Sequence, residues 1–227
     1  MIEKIFSNAW KKYKKHAPLI AGLMLAVSLL AVAAVAVAEF AFLGSAISKI
    51  KFTSPVMIAE YVLIILSLLA SIYVSSVISS MAAGIKKYFK SGLTYMWDYL
   101  LVKIMISVIL FAIMFVGIVP FFFKARALGV LTTIAGFVAV LYMSIKFLFA
   151  VPEIYIKRKN PVDAIKSSWK GTRGNFWNLV LILLSLVLIN LVISFIPYIG
   201  GIISALVISP YTTFVIFEAF RTMKKRK

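Results

Sequence analysis

Six stretches of this chain are too long and too apolar to be folded away in a water-soluble core. They lie at about 18–43, 55–84, 99–123, 127–151, 175–196 and 199–220, and each meets or exceeds the roughly 20 residues a helix needs to cross a bilayer. In hydrocarbon every backbone N–H and C=O must be bonded within the chain, so such a run is a helix. Pro18 and Pro55 open runs, Pro120 and Pro152 close them, and Pro197 with Gly200 and Gly201 makes the tight turn between the last two. Only Pro210 falls well inside a run. The fold class is therefore all-α: a polytopic integral membrane protein with about six transmembrane helices. The spans leave only short loops and tails, so residues 1–227 form a single membrane domain without a soluble companion.

The composition agrees: 63% of residues are hydrophobic and 14% charged, against about half and a quarter in soluble domains. The basic start and the small residues Ala36-Val37-Ala38 imitate a secretory signal. The first apolar run is much longer than the roughly 7–15 residues of a signal core, so it is read as a span.

The net charge of +18 does not point to nucleic acid, because the charges flank apolar runs and form no separate basic module. Nineteen of the 25 Lys and Arg residues lie in the N-terminal tail, the loops after spans two and four, and the C-terminal tail. The alternate loops hold only Lys49, Lys51, Lys124 and Arg126, while Lys103 and Lys146 fall within runs. Basic residues concentrate on the cytoplasmic side, so both termini are expected to be cytoplasmic and the protein to be multi-pass in the plasma membrane.

Three of the basic segments share a design. Ile2, Ile5, Phe6, Ala9, Trp10 and Tyr13 follow the rhythm of one helical face with the lysines elsewhere, which predicts an amphipathic interfacial helix over 2–15. Ile85, Tyr88, Phe89, Leu93 and Met96 repeat the pattern, with Gly92 on the same face weakening the helix. The third begins at Asn160-Pro161-Val162-Asp163, where a capping residue, a proline at the first helical position and an acidic first turn coincide. Trp10, Lys11, Lys12, Trp169, Lys170 and Arg173 are the candidate contacts to anionic lipid headgroups.

Nothing in the sequence suggests catalysis. It has no cysteine, and its seven carboxylates show no close pair, metal spacing, phosphate loop or nucleophile elbow. The expectation is a protein that is not an enzyme and has no cofactor or metal. Ionisable groups in or beside spans are costly and are the default functional candidates. Lys146, Glu153, Asn190, Ser209 and Glu218 thus form a candidate polar pocket opening to the cytoplasm. The bland reading has Lys146 snorkelling, the acids paired with loop cations and Asn190 bonding between helices. Glu39 and Glu60, with Lys49 and Lys51 between them, read as an outer ion pair or a cation entrance. Ser67, Ser71, Ser75 and Ser79, every fourth residue of span two, read as a close helix-packing stripe or a hydroxyl-lined wall.

The stretch from Phe147, FLFAVPEIYIKRKNPVDAIKSSWKGTRGNFWNLV, followed later by IPYIGGIISALVISPYTTFVIFEAFRTMKKR, resembles the membrane domain found ahead of some bacterial glycerophosphoryl diester phosphodiesterases, and its stand-alone relatives. The resemblance implies a six-span helical domain and no established activity, since the chain shows no fused phosphodiesterase domain.

These features give a transport-class or lipid-handling protein with a cytoplasm-facing polar cavity. Its expected partners are membrane lipids with anionic headgroups, a membrane-protein partner or a second copy of itself. The alternative is a structural or accessory membrane subunit without a substrate. A membrane-embedded lipid enzyme is disfavoured by the missing acidic and histidine clusters. The cysteine-free sequence offers a direct topology test. In intact cells a membrane-impermeant thiol reagent should label Ser45→Cys and should reach Lys225→Cys only after permeabilisation; the reverse pattern would invert the assignment.

Overall fold

The computed structural model describes residues 1–48, 55–122, 126–197 and 199–224. The expectations placed on Lys49, Lys51 and Lys124 and on the side chains of Glu60 and Arg126 lie outside the described residues. The chain folds into α1 (Ile2–Ser48), α2 (Pro55–Ala82), α3 (Tyr88–Phe122), α4 (Arg126–Phe147), α5 (Ala150–Lys157), α6 (Pro161–Gly171), α7 (Phe176–Ser194), α8 (Gly200–Ile203), a π-helical turn (Ser204–Ile208) and α9 (Ser209–Lys224). Six stretches are long and apolar enough to cross a membrane: α1, α2, α3, α4 continuing into α5, α7, and α8 continuing into α9. Within their most apolar windows only 11–28% of residues are buried inside the protein. Side chains such as Phe111 and Phe195, 71% and 78% exposed, face outward. So much outward apolar surface needs hydrocarbon around it, and the molecule is a multi-pass, all-α membrane protein.

The helices α1, α2, α3 and α4 pack in sequence, each against the next, and α9 returns to lie on α1 and α2. The beginning of α1 and the end of α9 share one face of the molecule, since the Lys12 ammonium lies 2.5 Å from Glu218. The core is concentrated towards this terminus-bearing face. There Ile5, Ala9 and Tyr13 of α1, Val77 and Met81 of α2, and Phe214, Phe217 and Phe220 of α9 are buried together.

Two expected surface helices take a different form. Residues 2–15 are not separate from the first span: α1 is one helix of 47 residues with Pro18 inside it. At about 1.5 Å per residue it is roughly 70 Å long, far more than the ~30 Å hydrocarbon thickness. Its apolar row is covered by α9, where Tyr13 meets the Phe214 ring edge-on at 5.8 Å, so protein covers the face predicted to meet lipid. The second segment likewise runs without interruption into α3. Gly92 is the point where α3 crosses α2: the Ser76 hydroxyl donates to the Gly92 carbonyl at 2.7 Å. A β-carbon at Gly92 would sit 2.5 Å from a Val77 methyl and 3.1 Å from its Cα. Of the three expected surface helices only α6 is a separate short helix, packed on α5, α3 and α4.

Gly92→Ala would gain up to about 1 kcal/mol of helix propensity in open space. Here it must displace a stiff β-branched side chain and its backbone, which typically costs about 1–3 kcal/mol. The variant should therefore melt below the wild type in detergent, and equal or higher melting would show that the two helices do not approach this closely.

Candidate functional site

The acids expected to line a pocket are committed to structure. Glu153, on α5, is completely buried. One carboxylate oxygen accepts a 2.8 Å hydrogen bond from the Ser167 hydroxyl and another from the Lys224 ammonium. Lys159 lies 3.3 Å from the other oxygen and also donates to Ser167 at 2.7 Å. This cluster ties α5, α6 and α9 together. Glu218 forms a second cluster, with Lys12 at 2.5 Å, Arg221 at 3.3 Å and the Asn8 amide at 3.4 Å. Arg221 continues to the Ala82 carbonyl at 2.9 Å, placing a cation at the negative end of the α2 dipole. Gly84, with φ at +77°, closes that end, and the Ile85 N–H returns to the Ser80 carbonyl at 3.1 Å.

Lys146 is 7% exposed. Its ammonium sits over three ring faces, Tyr142 at 5.3 Å, Trp169 at 5.4 Å and Phe176 at 5.9 Å, which supply cation–π attraction in place of a carboxylate. Asn190 accepts a 2.5 Å bond from the Ser204 hydroxyl and, with Ser209, lines a separate shallow cleft between α7 and the π-helical turn. The structure thus brings Asn190 and Ser209 together and leaves Glu153, Glu218 and Lys146 in three other settings.

Among the headgroup candidates, Trp10 is half-exposed and packs edge-on against Tyr211 at 5.5 Å, while Trp169 packs on Phe147 at 6.0 Å. Lys11 and Lys170 are exposed, and Arg173 is exposed just beyond α6, where its N–H donates to the Lys170 carbonyl. Lys12 is tied to Glu218 instead.

The polar space lies elsewhere. A half-enclosed cleft of about 280 Å³ is walled by α2, α3, α4, α5 and α9, and its polar lining is Ser79, Tyr99, Lys103, Ser107, Ser144 and Thr213. Ser79 and Ser144 donate to carbonyls of their own helices at 2.9 and 2.8 Å, so they offer lone pairs to the cleft. Ser107 and Thr213 make no hydrogen bond within the described residues, so their protons are available. Lys103, six residues beyond Trp97 on α3, rests 5.6 Å from the Tyr99 ring and pairs with no carboxylate among the described residues.

Towards the terminus-bearing face lies a second, more open cleft of about 510 Å³, lined by Lys87, Lys90, Arg158, Ser91, Tyr95 and Tyr155 among others, again without a carboxylate. The buried Ser91 hydroxyl has no hydrogen-bond partner. Arg158 is the one non-glycine residue with positive φ among those described, and its N–H caps α5 on the Ile154 carbonyl. Tyr155, in the wall of this second cleft, has its ring 5.4 Å from Tyr95 and its hydroxyl 2.5 Å from that of Ser76. Ser91, Tyr95, Tyr99, Lys103 and Ser107 are every fourth residue of α3, so one polar row lines both clefts in turn. That row was legible in the sequence by the same rule that picked out the span-two serines.

Comparison with protein-family models, curated proteins and solved structures finds no match to this chain.

Glu153→Gln removes the charge that both Lys159 and Lys224 share. Lost charge-assisted bonds at a buried carboxylate predict a loss of about 2 kcal/mol, seen as a melting temperature several degrees lower in detergent. Lys224→Met should cost a similar amount, with the double variant losing less than the two together. Additive losses would show that the pair is not coupled.

Proposed function

We propose that this chain is a transport-class or lipid-handling protein of the plasma membrane that takes a polar or amphiphilic molecule from the cytoplasmic side into the cleft between α2, α3, α4, α5 and α9. The single observation that carries this reading is the cleft itself. Free hydroxyls and an unpaired ammonium at membrane depth are costly to keep unless something binds there. The outer cleft lies nearer the terminus-bearing face, which the excess of Lys and Arg assigns to the cytoplasm, and the i+4 row of α3 lines first one cleft and then the other.

The four tryptophans support the same orientation. Trp10, Trp97, Trp169 and Trp177 all lie at the terminus-bearing ends of their segments and are 40–76% exposed, as aromatic residues at a lipid–water boundary would be. The beginning of α1 and the amphipathic α6 then lie at headgroup level, with Lys11 and Lys170 directed to anionic lipids. The resemblance of the last third to the phosphodiesterase membrane domain suits a lipid-facing role and brings no activity with it.

Native mass spectrometry of protein extracted with its own lipids tests the reading. Wild type should retain a discrete lipid or solute, and Ser107→Phe, which fills the cleft, should lose it while eluting as a homogeneous species. A wild type that carries no bound molecule, or one equally bound to the filled variant, would leave the structural subunit as the better account.

A further inference from the structure

The charge of the cleft assigns the class of molecule it holds. Both clefts display cations and hydroxyls, Lys87, Lys90 and Arg158 outside and Lys103 inside, and no carboxylate lines either. Glu153 and Glu218 are each surrounded by two basic side chains elsewhere, and Asp98, on α3 between the two clefts and near Tyr155, lines neither of them. Lys103 cannot be read as a structural ion pair. It also differs from Lys146, whose ammonium is shielded by three aromatic faces. Lys103 has a single ring beside it and belongs to an exposed residue at the cleft wall.

We infer that the inner cleft is an oxyanion site: the Lys103 ammonium and the Ser107 and Thr213 hydroxyls converge on a phosphate or carboxylate group, which Lys87, Lys90 and Arg158 first attract to the outer cleft. Ser107 lies one helical turn from Lys103 on the same face of α3, and Thr213 of α9 lines the same cleft. An ammonium with two hydroxyl donors matches an anionic oxygen cluster, and such bonds are about twice as strong as neutral ones. In the less polar surroundings of a membrane the ammonium gains more from an anion than it would in water. The Ser91 hydroxyl, buried at the outer cleft without a partner, offers one further donor on the path. The oxyanion is the shared chemistry of two sources, the headgroup of an anionic lipid and a free phosphate-type solute. The inference rests on the proposal that the cleft takes a ligand at all, and it names that ligand's charge.

The test uses the full-length protein in nanodiscs, comparing wild type with Lys103→Gln, Lys103→Arg and, as a remote control, Lys166→Gln. Three conditions suffice: phosphatidylcholine alone, phosphatidylcholine with phosphatidylglycerol, and phosphatidylcholine alone with inorganic phosphate in solution. The readouts are native mass spectrometry and thermal stability, which also confirms that each variant is folded. Phosphatidylglycerol retained in preference to phosphatidylcholine, weakened about tenfold in Lys103→Gln and preserved in Lys103→Arg and Lys166→Gln, assigns a lipid headgroup. Stabilisation by inorganic phosphate that follows the same variants assigns a free solute. Phosphatidylcholine held as well as phosphatidylglycerol, and equally by Lys103→Gln, overturns the oxyanion site while leaving a lipid-handling cleft. No bound lipid and no phosphate effect in any variant overturns both.

Discussion

A backbone group left without a partner inside hydrocarbon costs several kcal/mol, and the rest of this structure is arranged around that constraint. Three interruptions among the described residues are repaired by a side chain from a different element. Where α4 gives way to α5, the Ser168 hydroxyl of α6 donates to the Lys146 carbonyl at 2.7 Å and accepts from the Phe149 N–H at 3.0 Å. Pro210 has no N–H to offer Leu206, and the Tyr13 hydroxyl of α1 approaches that carbonyl at 3.5 Å. The π-helical turn just before Pro210 widens the helix where its bonding pattern fails. Arg221 of α9 performs the same service for the end of α2. Polar side chains in this bundle therefore act first as backbone partners, and they fix which helices are neighbours.

The two buried acids follow from the same economy of polar contacts. Glu218 joins α9 to α1, and Glu153 joins it to α5 and α6, so the short last helix holds both halves of the bundle at the terminus-bearing face. Using the acids in this way leaves a strongly basic chain with cations that have no internal counterion. Lys146 meets that difficulty with three aromatic rings. Lys103 faces the inner cleft, and the proposed chemistry arises from that difference.

How far the site was legible in the sequence depends on what each residue needed. Glu153 and Glu218 stood out as ionisable groups at span ends; both are paired with cations, of which Lys159 alone lies in a loop while Lys12, Arg221 and Lys224 are on α1 and α9. Asn190 and Ser209 do share a cleft, but one between α7 and the π-helical turn, away from the acids. Lys103 is visible in the sequence only as a cation within an apolar run, because a lone lysine there has the same pattern whether it snorkels or faces a cavity. The i+4 row through Ser91, Tyr95, Tyr99 and Ser107 was the signal available to distinguish the two. Gly92 looked like a defect because helix propensity ignores neighbours, whereas its missing side chain is what admits Val77.

By itself the sequence determined that this chain is helical and that six of its stretches are long and apolar enough to cross a membrane. Those properties depend on local hydrophobicity, span length and backbone bonding, all of which act over neighbouring residues. Only the tertiary structure decided which polar groups meet: α1 as one helix covered by α9, the acids enclosed by cations from distant segments, and Lys103 and Thr213 in the wall of one cleft. The physical reason is that hydrocarbon screens no charge and bonds no polar atom. Pairing is therefore settled by contacts between residues up to 210 positions apart in sequence, a separation to which no periodicity within a helix can point.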